Sequence, residues 1–237
     1  MNIIFNNIQN QNKHTLIKMC GFTCVQDLQA AINNNVDAIG LVFYSKSKRY
    51  VSIEQAKILT SNIPKHIQIV GLFVNETIDN IVNICEQVNI DILQLHGDMS
   101  YETPDWCKKC SQIIKKPYIK AIGIDNNCDE EFILTSYTKY SKHNASGILL
   151  DTKTSSYGGS GKTFNWNIIP KSLLNKLDIP IIISGGINAD NLLDVLNLQP
   201  YAIDLSSAIE NNIKGIKDAY KIKRIMQIIK SKEKTHA

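Results

Sequence analysis

Two apolar runs far apart in the chain end on groups that can move a proton. Leu16-Ile17-Lys18-Met19 closes on Cys20, and Gly147-Ile148-Leu149-Leu150 closes on Asp151. A thiolate can take a proton and a carboxylic acid can give one, so the pair has the makings of general acid–base chemistry. Such groups can serve one substrate only if the fold brings their strand ends together. In a barrel of alternating strands and helices, every strand end opens on one mouth. The residues after the other apolar runs are mostly polar and small: Ser45-Lys46-Ser47-Lys48-Arg49, Asn75, His96-Gly97-Asp98, Ser184-Gly185-Gly186 and Ser206-Ser207. Taken singly, each reads as a turn or a helix cap. Gathered on one face, they read as a binding rim.

The elements that must position these residues follow from the hydrophobic pattern. Apolar, β-branched runs recur at Leu16–Met19, Ala38–Phe43, Ile67–Val74, Ile92–Leu95, Tyr118–Ile124, Gly147–Leu150, Ile179–Ile183 and Ala202–Leu205. Between them lie segments of helical period, such as Ile78, Ile81, Val82 and Cys85, or Ile222, Ile225, Met226 and Ile229. Strand and helix in eightfold alternation predict a parallel (β/α)8 barrel. Thr23 with Gln26, and Ser52 with Gln55, fit capping boxes; Thr103-Pro104 places a cap before a proline at the first helical position. Residues 125–146 carry the weakest helical pattern. Residues 1–15 are expected to be a loosely ordered extension, and 16–237 a single barrel domain.

A net charge of +4 over 237 residues is a mild basic excess, suited to anionic small molecules rather than to nucleic acid. The Lys-rich stretch near the end alternates with isoleucine and reads as a solvated helix face. Six cysteines are too sparse for a disulfide framework, so reduced thiols and a cytoplasmic location are expected. Cys107 and Cys110 form a C-x-x-C pair with no second ligand pair at zinc spacing. The Asn- and Gln-rich start resembles neither a signal peptide nor a membrane span.

The loops after the seventh and eighth strands, with Gly185, Gly186, Ser206 and Ser207, offer backbone N–H groups and hydroxyls where barrels commonly hold a phosphate. A small phosphorylated substrate is therefore expected. Gly158-Gly159-Ser160-Gly161-Lys162-Thr163 is not a nucleotide-binding loop, because that pattern requires glycine where Ser156 stands. A mobile loop closing over the mouth fits it better.

Assembled in order, these strings resemble phosphoribosylanthranilate isomerase of tryptophan biosynthesis. They are Lys18–Thr23, Phe43–Tyr50, Gly71–Asn75, Gln94–Gly97, Leu150–Lys153, Tyr157–Trp166 and Ser184–Asn188. Their shared order and spacing, over residues 16 to about 230, make the set specific. The resemblance implies an Amadori rearrangement of N-(5-phosphoribosyl)anthranilate to 1-(2-carboxyphenylamino)-1-deoxyribulose 5-phosphate. It implies no metal, nicotinamide or flavin. By position, Cys20 becomes the general base, Asp151 the general acid and Arg49 the holder of the anthranilate carboxylate. His96 either lines the site or orients its loop. A thiolate at Cys20 is expected to be favoured by the first helix and by nearby cations.

The chain departs from the family at Ala208, where glycine is usual, and around Asn212–Gly215, which lacks a common proline. If position 208 needs a left-handed backbone, alanine would cost about 1–2 kcal/mol. Other phosphosugar isomerase or epimerase barrels, and a non-catalytic barrel binding a phosphorylated metabolite, remain as alternatives, as do monomer and homodimer.

Overall fold

The computed structural model describes residues 15–153, 163–174 and 179–235. Eight strands alternate with eight helices: β1 (Leu16–Cys20), α1 (Val25–Asn33), β2 (Ala38–Val42), α2 (Ile53–Thr60), β3 (Gln68–Phe73), α3 (Ile78–Gln87), β4 (Ile92–Leu95) and α4 (Pro104–Ile114). There follow β5 (Tyr118–Ile124), α5 (Glu130–Ser141), β6 (Gly147–Thr152), α6 (Lys171–Leu174), β7 (Ile181–Ile183), α7 (Leu192–Asn197), β8 (Ala202–Leu205) and α8 (Ala219–Thr235). Each strand pairs in parallel with the next, and β8 pairs back onto β1, so the sheet closes. The expected (β/α)8 barrel is therefore the fold. The glycine-rich run Gly158–Lys162 and residues 1–14 lie outside the described residues.

Closure makes the two faces of every strand distinct, because successive side chains alternate between barrel interior and helix layer. Leu16, Ala38, Val70, Ile92, Ile119, Leu149, Ile182 and Ala202 form one interior cluster. Ile17, Met19, Ile39, Leu41, Ile148, Leu150, Ile203 and Leu205 belong to the larger cluster under the helices. Counting in twos from the interior set places Lys18 and Cys20, Gly40 and Val42, Gln94 and His96, Asp151, Ser184, and Asp204 and Ser206 on the same inner face. Polarity thus rises along the interior from an apolar floor to a charged mouth.

Helix starts follow local chemistry where no distant partner competes. Ser52 caps α2 in a reciprocal box with Gln55, and Thr103 caps α4 ahead of Pro104. The box expected at Thr23 and Gln26 does not form. The Thr23 hydroxyl instead donates to the Gly215 carbonyl at 2.7 Å, so α1 begins at Val25 with Cys24 at the cap position and no side-chain cap. The weak pattern over 125–146 is a real helix, α5, capped by Asp129.

Outside the barrel, a fully buried ion pair anchors the turn after β4. Lys120, pointing outward from β5, reaches Glu102 at 2.5 Å and also donates to the carbonyls of Leu95 and Gly97. Glu102 accepts from the amides of Asn75 and Gly97 in return. Removing one member of such a pair leaves a buried charge unpaired. Lys120→Met should therefore lower the unfolding free energy by about 3–5 kcal/mol, read from urea denaturation, with Lys120→Met/Glu102→Leu regaining much of it. An unchanged midpoint in the single variant would contradict this account.

Candidate active site

At the mouth, β1 and β8 carry the ladder Lys18–Cys20 beside Asp204–Ser206. Lys18 and Asp204 are register partners across the closing seam, and their side chains pair at 2.7 Å with both buried. Burial works against a charged Lys18, but the Asp204 carboxylate at 2.7 Å outweighs it and holds the ammonium above its ordinary pKa. Cys20 ends β1 rather than following it, and lies opposite Gly40 of β2. A Cβ at Gly40 would stand 2.5 Å from the thiol sulfur, so this glycine gives Cys20 its room.

The sequence leaves the Cys20 pKa open, and the surroundings of the thiol set its direction. Burial pushes Cys20 above its ordinary pKa; Lys18 pulls it down, Asp204 pushes it up again, and Lys217 pulls it down. The first helix, α1, begins at Val25, five residues beyond Cys20. Burial wins because both lysines already share their charge with carboxylates.

Asp151 lies within β6, which runs on to Thr152, so a strand rather than a loop holds its backbone. One carboxylate oxygen accepts from the Thr152 amide at 2.8 Å; the other lies 3.3 Å from His96 Nε2. Gln94 Nε2 in turn meets His96 Nδ1 at 2.9 Å. In the tautomer that accepts from this amide at Nδ1, the imidazole presents its Nε2 proton toward Asp151. His96 thus both lines the site and is oriented by its own strand. Burial pushes Asp204 above its ordinary pKa, although Lys18 pulls it back; the Asp151 charge adds to the rise.

Arg49 is 7 % exposed, and its stem lies where any side chain on Gly21 would have to go. Gly21 has a φ of +83°, which suits glycine on backbone grounds as well. The guanidinium donates from Nε and Nη2 to the two oxygens of Glu210, at 2.7 and 2.8 Å. One edge of the fork is thereby taken; the Nη1–Nη2 edge makes no bond among the described residues. Lys217 also reaches Glu210, at 3.1 Å, and donates to the carbonyls of Cys20 at 2.7 Å and Ser206 at 3.3 Å.

Gly185 and Gly186 both have positive φ, +87° and +65°, and follow β7 after Ser184. A Cβ at Gly185 would stand 2.6 Å from the Thr152 amide and 2.9 Å from an Asp151 oxygen. The glycine loop is therefore packed against the carboxylate it neighbours. Ser206 spends its hydroxyl on the Cys20 carbonyl at 3.2 Å, and Ser207 opens a 3-10 turn, Ser207–Ile209. Ala208 sits within that turn and is not among the residues of positive φ, so alanine costs the backbone nothing there.

A family model described as N-(5'-phosphoribosyl)anthranilate isomerase matches residues 17–228. The chain belongs to that family. An N-(5'-phosphoribosyl)anthranilate isomerase of Acinetobacter calcoaceticus is 41% identical over 215 residues, covering 90% of this chain and 95% of the relative. The crystal structure of phosphoribosyl anthranilate isomerase from Thermotoga maritima superimposes with a TM-score of 0.78 at 34% identity, covering 92% of this chain and 99% of that one. A structure of such an isomerase in complex with reduced 1-(o-carboxyphenylamino)-1-deoxyribulose 5-phosphate has a TM-score of 0.73 at 29% identity, with the same coverage.

For an isomerase of this family, the residues expected from sequence assemble at one mouth: Cys20, Asp151, Arg49, His96, Gly185, Gly186, Ser206 and Ser207. Five partners were not foreseen. Lys18, Gln94 and Asp204 had a readable signal, each being a polar residue two places before a strand-end group in an apolar run. Glu210 and Lys217 had none, since they look like ordinary loop charges. Cys107 and Cys110 sit away from this mouth in α4, their thiols pushed up to about 12 by burial, which leaves them poor nucleophiles and ligands at neutral pH. A cleft of about 400 Å³ beside the loops after β2 and β3 is lined by Phe43, Tyr44, Tyr50 and Asn75 and by none of the proton-transfer residues. No helix among the described residues is long and apolar enough to cross a membrane.

Cys20 should titrate above the ordinary thiol value of about 8.5 in the ligand-free protein. Carbon-13 NMR of cysteine Cβ, assigned with Cys20→Ser, would read this directly. The thiol form should persist to pH 8.5, and a midpoint below that value would contradict the dominance of burial.

Proposed function

We propose that the protein catalyses the Amadori rearrangement of N-(5-phosphoribosyl)anthranilate in tryptophan biosynthesis, in the cytoplasm, by acid–base catalysis with Asp151 as acid and Cys20 as base. The observation that carries this reading is the placement of both groups on the inner face of one closed barrel, with Arg49 and the Gly185–Gly186 loop around the same mouth.

In the first step a protonated Asp151 gives its proton to the furanose oxygen. The C1–O bond breaks as the nitrogen lone pair forms a C=N bond, leaving an open-chain hydroxyl and an iminium. His96 donates to the Asp151 carboxylate left behind and spreads its charge. The iminium then draws electrons from the adjacent C2–H bond. Cys20 as thiolate takes that proton, and the C–H pair becomes the C1=C2 bond while the iminium charge is neutralised.

The elevated Cys20 pKa suits this order of events. The thiol becomes a thiolate most readily when the cationic iminium lies beside it, which lowers its pKa at the moment the base is needed. Ketonisation removes the C2 hydroxyl proton and adds one to C1, so the substrate's proton count returns to its start. The C2 proton leaves Cys20 as the thiol it was at the start, and the proton that Cys20 released to water on ionising is balanced by the one that Asp151 takes back from water, which restores the enzyme. Arg49 presents its remaining edge to the anthranilate carboxylate, in a planar geometry that lysine could not copy. The Gly185 and Gly186 amides, with Ser206 and Ser207 nearby, face the phosphate.

The test is loss of anthranilate-type fluorescence on freshly prepared substrate. Wild type should turn it over, while Cys20→Ser and Asp151→Asn should each lose about 10²–10⁴ in kcat at matched fold content. No turnover by the folded wild type would refute the isomerase reading; full activity in either variant would remove that residue from its role.

A further inference from the structure

Arg49, Glu210 and Lys217 form a buried cluster in which two cations share one carboxylate. Glu210 uses both oxygens: Oε1 accepts from Arg49 Nε at 2.7 Å, the Gly215 amide at 2.8 Å and Lys217 at 3.1 Å, and Oε2 accepts from Arg49 Nη2 at 2.8 Å. It is 4 % exposed, and although burial works to raise its pKa, Arg49, Lys217 and the Gly215 amide together bring it below the ordinary value. Burial, with Arg49 beside it, holds Lys217 below its ordinary pKa despite Glu210, so the firm positive charge of the cluster is the Arg49 guanidinium.

That charge has a defined direction. A guanidinium has five N–H donors on two usable edges, and Glu210 takes one edge bidentately. The Arg49 stem is confined by Gly21, and the Arg49 amide is bonded to the Ser47 hydroxyl at 3.1 Å, so the group has little freedom to swing. What remains is a planar pair of N–H donors that makes no bond among the described residues. Lys217, held by the same carboxylate, joins the Cys20 carbonyl to the Ser206 carbonyl. The orientation of the fork is thus tied to the strand end that carries the thiol.

We propose that Glu210 is a positioning residue that sets selectivity for a substrate bearing an aromatic carboxylate, by fixing Arg49 with only its Nη1–Nη2 edge free. This rests on the function proposed above, and it adds a cause for the clamp's specificity: the fork is preorganised before ligand arrives, so the carboxylate meets two aligned donors at little entropic cost. A merely structural Glu210 would affect all ligands of the mouth alike.

The experiment measures Kd by calorimetry for two reduced product analogues, 1-(2-carboxyphenylamino)-1-deoxyribitol 5-phosphate and the same compound without the carboxylate. Glu210→Gln should weaken the carboxylated analogue about tenfold or more and leave the other within about twofold, and Glu210→Asp, which keeps the charge, should recover part of the loss. On the carboxylated substrate, Glu210→Gln should raise KM with kcat nearly unchanged, the mark of lost uniform binding. Equal weakening of both analogues, or of neither, would overturn the proposal while wild-type turnover leaves the isomerase reading standing. Loss of fold in both variants, judged by circular dichroism, would also overturn it by making the carboxylate structural. Failure of wild type to bind either analogue would overturn both readings.

Discussion

The pairing of β1 with β8 is the constraint on which the site depends. Without it the sheet has two open edges, and the thiol and the carboxyl sit on separate strand ends with no common cavity. The seam is held by four register pairs, and one of them, Lys18 with Asp204, adds a buried ion pair directly beneath Cys20. Two charges in that position are expensive to dehydrate, and the pair is tolerated only because its geometry is close and both members are held by strands. Buried pairs of this kind are often replaceable by apolar residues of similar volume at little cost in stability, so the charges beneath Cys20 bear on its surroundings as much as on the seam.

A second constraint acts from outside the barrel. The chain after β8 folds back so that Glu210, Gly215 and Lys217 reach across the mouth to Arg49, to the Thr23 hydroxyl and to the Cys20 carbonyl. The loops after β1, β2 and β8 therefore behave as one bonded unit. The loop after β4 is fixed in a comparable way by Glu102 and Lys120, which bond the backbone on both sides of His96. Loops usually carry function at the cost of mobility. Here buried ion pairs tie the loops after β2 and β4 to their neighbours.

Much of this was legible in the sequence, for identifiable reasons. Parallel strands buried on both faces write continuous apolar runs, so β4, β5 and β8 were readable to the residue. Ser52 and Thr103 revealed their helix starts because their partners lie three residues away. Thr23 misled because its hydroxyl found the Gly215 carbonyl, a partner far along the chain that no local pattern records. The same holds for Glu210. Its role comes from Arg49, a residue distant in sequence, and no spacing rule connects the two. Lys18, Gln94 and Asp204 lie between these cases. A charged or amide side chain in an apolar strand, in phase with a strand-end group, signals an inward-facing polar layer once the barrel is recognised. The state of Cys20 was hidden for another reason: it depends on how far burial outweighs two lysines, a balance set by packing depth.

The central claim is that Cys20 and Asp151 act on one bound molecule from two sides of the mouth. A crystal structure of this chain with reduced 1-(2-carboxyphenylamino)-1-deoxyribulose 5-phosphate tests it most directly. The account predicts the Cys20 sulfur within about 3–4 Å of the sugar C2, the Asp151 carboxyl within hydrogen-bond reach of the former ring oxygen, and the phosphate at Gly185–Gly186. A ligand bound with its phosphate there but with either residue turned away from C1–C2 would contradict it.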